Sequence, residues 1–122
     1  MIGIDLVAIE RMELFLARRS RARTKEEALA RFLVPSEIEL VRRVESAAGF
    51  WAAKEACAKA LGTGIGAEVR FHDMIISKSP KGAPLLELSK EAKERFNVAS
   101  CALSIAHHKG FAIAAVLLVF NQ

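Results

Sequence analysis

The chain opens with a period of two. In Met1-Ile-Gly-Ile-Asp-Leu6, Ile2 and Ile4 fall on one side and Gly3 and Asp5 on the other, which predicts a short strand. From Val7 the spacing changes, and Ile9, Met12, Phe15 and Leu16 make a helical stripe. A short helix is expected over residues 26–34, with Leu29, Phe32 and Leu33 inward. Pro35 starts another, whose Ser36 and Glu39 are spaced as a capping box and whose Ile38, Val41 and Val44 form the inner face. Residues 46–61 read as a long alanine-rich helix, since Ala, Leu, Lys and Glu are the strongest helix formers. Gly62 suits the left-handed position just past its end.

Beyond Gly66 the pattern turns to strands. Residues 68–77 are rich in Val, Phe and Ile, Ser79-Pro-Lys-Gly-Ala-Pro84 is a turn, and residues 85–88 pair back as a hairpin. A small polar helix is expected over 89–96 with Ser89 as its N-cap. Residues 98–106 and 111–120 form a second hairpin that turns at His108-Lys109-Gly110. The last strand is apolar at both parities, so both of its faces need cover, and association of subunits supplies it. A strand, several helices and then antiparallel hairpins make an α+β fold. No repeat, low-complexity tract or linker divides the chain, so residues 1–122 are expected to form one domain.

Composition narrows the class. With 52% hydrophobic and 26% charged residues, the 122-residue chain is folded and not disordered. Asp5 and Glu10 interrupt the N-terminus, so no signal peptide is expected, and residues 111–120 are too few to cross a bilayer as a helix. Cys57 and Cys101 form neither a CxxC motif nor a zinc spacing and read as buried thiols in a reducing cytoplasm. The net charge of +4 is concentrated between residues 10 and 25, where Arg11, Arg18, Arg19, Arg21, Arg23 and Lys25 face only Glu10 and Glu13. Such a cluster marks either an anionic partner surface or a solvated loop. One alternative function follows from it: a small basic nucleic-acid-binding module using Arg18 to Lys25. The absence of tyrosine, and aromatics set mostly within apolar runs, make a base-stacking platform hard to build.

The most informative run is Trp51-Ala-Ala-Lys-Glu-Ala-Cys-Ala-Lys-Ala-Leu-Gly-Thr-Gly-Ile-Gly66. Glu55 and Lys59 stand four apart and share a helix face, a spacing that also suits a plain surface pair. Ala52, Ala53, Ala56 and Ala60 around them leave room for a close approach to the backbone. The glycines are no P-loop, because no Gly-Lys-Ser/Thr follows, and no dinucleotide fingerprint, because they close a helix. A carboxylate, an ammonium and a glycine-rich exit together suit a metal-bound phosphate compound.

This run, the opening Gly3-Ile-Asp-Leu-Val-Ala-Ile-Glu-Arg-Met12 and the late Ser104-Ile-Ala-His107 occur in an order that resembles the holo-[acyl-carrier-protein] synthase family of bacterial phosphopantetheinyl transferases. The resemblance covers nearly the whole chain. It implies a phosphopantetheinyl-transferase-like fold that moves 4′-phosphopantetheine from coenzyme A to a serine of apo acyl carrier protein and releases adenosine 3′,5′-bisphosphate. It implies a divalent metal, Mg²⁺ with Mn²⁺ as an alternative, held by Asp5 and Glu55, although Asp5 alone also suits a helix N-cap. Lys59 and His107 would hold coenzyme A phosphates, with His108 as the competing histidine, and Gly62, Thr63, Gly64 and Gly66 would let coenzyme A lie against the backbone. Asp5, Glu55 and Lys59 would be catalytic. Arg11, Arg18, Arg19 and Arg21 would meet the carrier protein. The family is a homotrimer with active sites at subunit interfaces, in the cytoplasm, with neither nucleic acid nor membrane as partner. Three positions depart from its pattern: Phe50 replaces a frequent arginine, Gly82-Ala83-Pro84 replaces Gly-Lys-Pro with Lys81 displaced, and Ala106 replaces a serine.

Overall fold

The structure is a computed structural model and describes residues 1–18 and 22–122. Its elements are β1 (Ile2–Ala8), α1 (Ile9–Arg18), α2 (Lys25–Leu29), α3 (Pro35–Ile38), α4 (Val44–Leu61), a 3₁₀ turn (Phe71–Asp73), β2 (Met74–Lys78), β3 (Pro84–Leu88), α5 (Lys90–Phe96), β4 (Val98–His108) and β5 (Phe111–Phe120). The α+β reading holds. One antiparallel sheet has the order β1-β5-β4, and β2 and β3 form a separate hairpin.

Period-two burial decides how the sheet is used. Gly3, Val7, Ala112, Ala114, Val116 and Leu118 turn inward and are buried under α4. The alternate residues Ile2, Ile4 and Leu6 are 67%, 60% and 56% exposed, and their register partners on β5 include the exposed Leu117. One sheet face is therefore core and the other an uncovered apolar surface.

The alanines of α4 correct a sequence expectation. Ala52, Ala53, Ala56 and Ala60 are buried, and the backbone that approaches them is the chain's own β1 instead of a ligand. A Cβ at Gly3 would overlap the carbonyl oxygen of Ala56 and lie 2.8 Å from the nitrogen of Ala60. Only glycine permits this packing.

Several boundaries differ for local reasons. β1 continues through Val7 and Ala8 because both still pair with β5, opposite Ala112 and Phe111. The helix expected over 26–34 is only Lys25–Leu29, capped by Thr24, whose hydroxyl accepts from the Glu27 amide. Phe32 and Leu33 are nonetheless buried. Proline at the first helical position of α3 makes Val34 its N-cap, so Glu37 accepts from the Val34 amide and Ser36 and Glu39 form no capping box. Val44 opens α4 and does not belong to α3. The strand expected from 68 begins only at Met74, after the 3₁₀ turn. Ser89 caps α5 as expected, and Lys109 and Gly110 both take positive φ in the two-residue β4–β5 turn. The cysteines are unbridged, but only Cys57 is fully buried, while Cys101 is half-buried. The Cys57 thiol donates to Cys101, and that bond together with burial holds Cys57 protonated well above the usual thiol range.

Candidate active site

The contact at Gly3 fixes the candidate site. Two residues further along β1, Asp5 faces inward with its side chain 14% exposed. It lies in mid-strand, not at the strand end, and caps no helix. Lys59 of α4 donates to Asp5 Oδ1 at 2.7 Å and reaches the Ile4 carbonyl at 3.4 Å. Glu55 lies one turn back on the same helix face. Burial, then the negative charge of Asp5, push its carboxyl above the ordinary range, while Lys59 and Arg11 oppose the shift. The bond to Asp5, then that carboxylate's charge, raise the Lys59 ammonium above its ordinary value. Two carboxylates from distant segments thus press on each other beneath two cations.

This donor set fits magnesium. Among the described residues no cluster of three or more His, Cys, Asp or Glu forms. Asp5 and Glu55 would therefore leave most of an octahedron to phosphate oxygens and water, which is how Mg²⁺ is usually held at a phosphate substrate.

The glycine-rich exit behaves differently from a phosphate cradle. Gly62 closes α4 with φ +84°, and the amides of Gly62, Thr63 and Gly64 donate to the Lys59 and Ala58 carbonyls at 3.0–3.2 Å. The Gly66 amide donates to Val69. These donors satisfy the helix end and its turn. What the loop does offer is space: nothing lies within 4 Å of a Cβ built on Gly62, Gly64 or Gly66.

His107 belongs to a second cleft. Its Nε2 lies 3.0 Å from the Glu45 carbonyl in the first turn of α4, and it shares its strand face with Ile105, while His108 has the opposite parity. Glu45 and Glu55 are ten residues apart, or about 15 Å along a helix, so one chain does not bring His107 to the carboxylates. Instead His107 lines a cleft of about 200 Å³ with Ser46, Gly49, Phe50, Lys78, Gly82 and Pro84. A side chain at Gly49 would crowd both Ile105 and the imidazole. Lys78, missed from sequence, ends β2 here, and its ammonium makes no hydrogen bond or ion pair among the described residues.

Arg11 stands on α1 between the carboxylates and a basic groove. That groove, about 360 Å³, is lined by Arg11, Leu14, Phe15, Arg18 and Arg31. Arg31 was also missed. It follows α2 in sequence, and its guanidinium sits 6.0 Å from the Phe15 ring centre. Arg19 and Arg21 lie outside the described residues.

The sequence matches the family described as the 4′-phosphopantetheinyl transferase superfamily over residues 1–116. This chain belongs to that superfamily. A holo-[acyl-carrier-protein] synthase from Wolinella succinogenes is 63% identical over 118 residues, 97% of this chain and 96% of that protein. The crystal structure of Helicobacter pylori holo-[acyl-carrier-protein] synthase in complex with coenzyme A has a TM-score of 0.90 and 52% identity, covering 98% of this chain and 100% of that one. The Bacillus anthracis synthase in complex with CoA (3′,5′-ADP) has a TM-score of 0.75 and 35% identity, covering 96% and 93%.

In this phosphopantetheinyl transferase the other charged residue of the Ala-Ala-Lys-Glu run is structural. Lys54 points away from Glu55 into the core, where its ammonium donates to Glu37 Oε1 and to the carbonyls of Phe32 and Phe71. Adjacent residues of a helix are about 100° apart around its axis, so Lys54 clamps the scaffold while Glu55 enters the site.

Proposed function

We infer that the chain transfers the 4′-phosphopantetheine arm of coenzyme A to a serine of apo acyl carrier protein, leaving adenosine 3′,5′-bisphosphate. The observation that carries this reading is the Asp5–Glu55 pair beside Lys59 and Arg11, in a chain whose relatives are holo-[acyl-carrier-protein] synthases throughout their length. Asp5 and Glu55 would hold Mg²⁺, with Mn²⁺ as an alternative. When bound, the metal supplies charge neutralisation for the pyrophosphate. Lys59 adds positive charge where the leaving bisphosphate gains negative charge. Glu55, or a water held at the site, would accept the serine proton. The open surface over Gly62, Thr63, Gly64 and Gly66 accommodates coenzyme A by shape, and the cleft of His107 and Lys78 offers it hydrogen-bonding partners.

The active unit is a homotrimer with its sites between subunits. Two observations support it: the uncovered apolar sheet face, and the separation of His107 from the carboxylates within one chain, which a neighbour's His107 would bridge. The groove of Arg11, Arg18 and Arg31 receives an acidic carrier protein; Arg19 and Arg21 are assigned to the same partner by the family resemblance alone. The chain works as one domain over residues 1–122, in the cytoplasm where its thiols stay unbridged; no helix of the described residues is long and apolar enough to cross a membrane. Incubation with coenzyme A, apo carrier protein and Mg²⁺, followed by mass spectrometry, tests the reading. A phosphopantetheine adduct on the carrier serine is expected, and its absence overturns it.

A further inference from the structure

The residue assigned to a coenzyme A phosphate is already engaged. Lys59 Nζ stands 2.7 Å from Asp5 Oδ1, within the range of strong charge-assisted hydrogen bonds, and leans on the Ile4 carbonyl as well. Asp5 is largely buried and Lys59 about half exposed, so the strand side of the pair is fixed and the lysine side can swing. The charges facing Asp5 are Glu55 and Lys59 from α4 and, beyond Glu55, Arg11 from α1. Among the described residues, Lys59 is the one cation paired with this carboxylate, which would otherwise be open to a metal.

We propose that Lys59 is a placeholder cation: its ammonium neutralises Asp5 in the metal-free chain, and a divalent metal and the lysine compete for that carboxylate. The proposal rests on the metal and phosphate roles given under the proposed function. Its consequence is an order of events at the site. With Asp5 held, the lysine is directed away from substrate; displaced from Asp5, its long stem delivers the ammonium to the exposed side, where a substrate phosphate arrives. The flexible four-carbon chain and compact charge of lysine suit such an exchange, whereas arginine would grip the carboxylate with a two-pronged fork.

Metal binding without coenzyme A or carrier protein tests this. Mn²⁺ binding, followed by electron paramagnetic resonance or calorimetry, is compared in the native protein, Lys59→Met and Lys59→Arg. Removing the competitor should tighten Mn²⁺ by about fivefold, and the arginine variant should bind no more tightly than the native protein. In the native protein with ¹⁵N-labelled lysine, the Lys59 Nζ resonance should move on Mg²⁺ addition toward the position it takes in metal-free Asp5→Asn. Unchanged or weaker Mn²⁺ binding in Lys59→Met overturns the exchange, and so does a Lys59 resonance that stays in place in Mg²⁺-saturated protein. Failure of the transfer reading is seen separately, as absence of the carrier adduct with native protein.

Discussion

Lys54 and Glu37 form an ion pair of 2.8 Å with both side chains fully buried. Every strong acceptor and donor around it is used: Glu37 also accepts from the amides of Val34 and Ile76, and Lys54 also donates to the Phe32 and Phe71 carbonyls. The pair ties α3, the 3₁₀ turn and β2 to α4, beside the aromatic cluster of Phe15, Phe32, Trp51 and Phe71. Burial lowers the proton affinity of Lys54 and Glu37 restores part of it. Lys54→Met should cost about 3–5 kcal/mol, because it strands the Glu37 carboxylate in the core. Lys54→Met combined with Glu37→Gln should recover part of that loss. Urea unfolding of the native protein and the two variants checks the order.

The carboxylate pair should destabilise the fold that holds it. Glu55 is raised from its ordinary value of 4.5. Its folded form binds protons that the unfolded chain has released, so its contribution to stability falls as pH rises from about 4.5 through the folded value. Glu55→Gln lacks this loss and should melt above the native protein at neutral pH, with a difference that vanishes below pH 4.5. Its transfer rate, and that of Asp5→Asn, should drop by at least about a hundredfold through loss of the metal. Thermal melts across pH and single-turnover assays read the two effects.

Leu117→Glu, or Ile4→Glu on the adjacent strand, places a charge in the middle of the exposed apolar sheet face. Light scattering should show the native protein as a trimer and either variant as a smaller species with native circular dichroism. A native protein that is monomeric at micromolar concentration refutes the assembly.

Neutralising Arg11 and Arg18 together should lower kcat/KM for the carrier protein by on the order of tenfold or more, mainly through association rate. Added salt should mimic the change, since the Debye length is about 8 Å at physiological ionic strength. Affinity for coenzyme A alone, read by calorimetry, should change little.

Lys78 stands in the cleft where Phe50 occupies the position of a frequent family arginine. Lys78→Ala should raise KM for coenzyme A about tenfold, the worth of one charge-assisted hydrogen bond, with kcat nearly unchanged. Steady-state kinetics at saturating carrier protein separates the two constants.

The order of elements was legible because burial follows period: the parity of residues 2–5, the stripe Ile9, Met12, Phe15 and Leu16, and the alanine run of α4 each select one conformation. Glu55 and Lys59 were readable as a pair from helix spacing alone. Their meeting with Asp5 was not, since no local pattern connects residues 5 and 59; the family resemblance paired Asp5 with Glu55, and the bond from Lys59 to Asp5 was not foreseen. Lys54 was passed over because a lysine in an alanine-rich helix looks solvated until its partner on α3 is known. Lys78 and Arg31 were missed for a similar reason, as one ends a strand and the other follows a helix, and the sequence does not specify which cleft either faces. The alanines misled because small residues invite close approach without saying by what.

Strand and helix touch at Gly3 backbone to backbone, and this makes the site a matter of dimensional tolerance. No rotamer stands between β1 and α4 there, so the distance from Asp5 to Glu55 is gauged by main-chain radii, which do not vary with sequence. Core substitutions elsewhere change packing without changing this gauge. Even a methyl group at position 3 would act as a shim, prising the helix that carries Glu55 from the strand that carries Asp5.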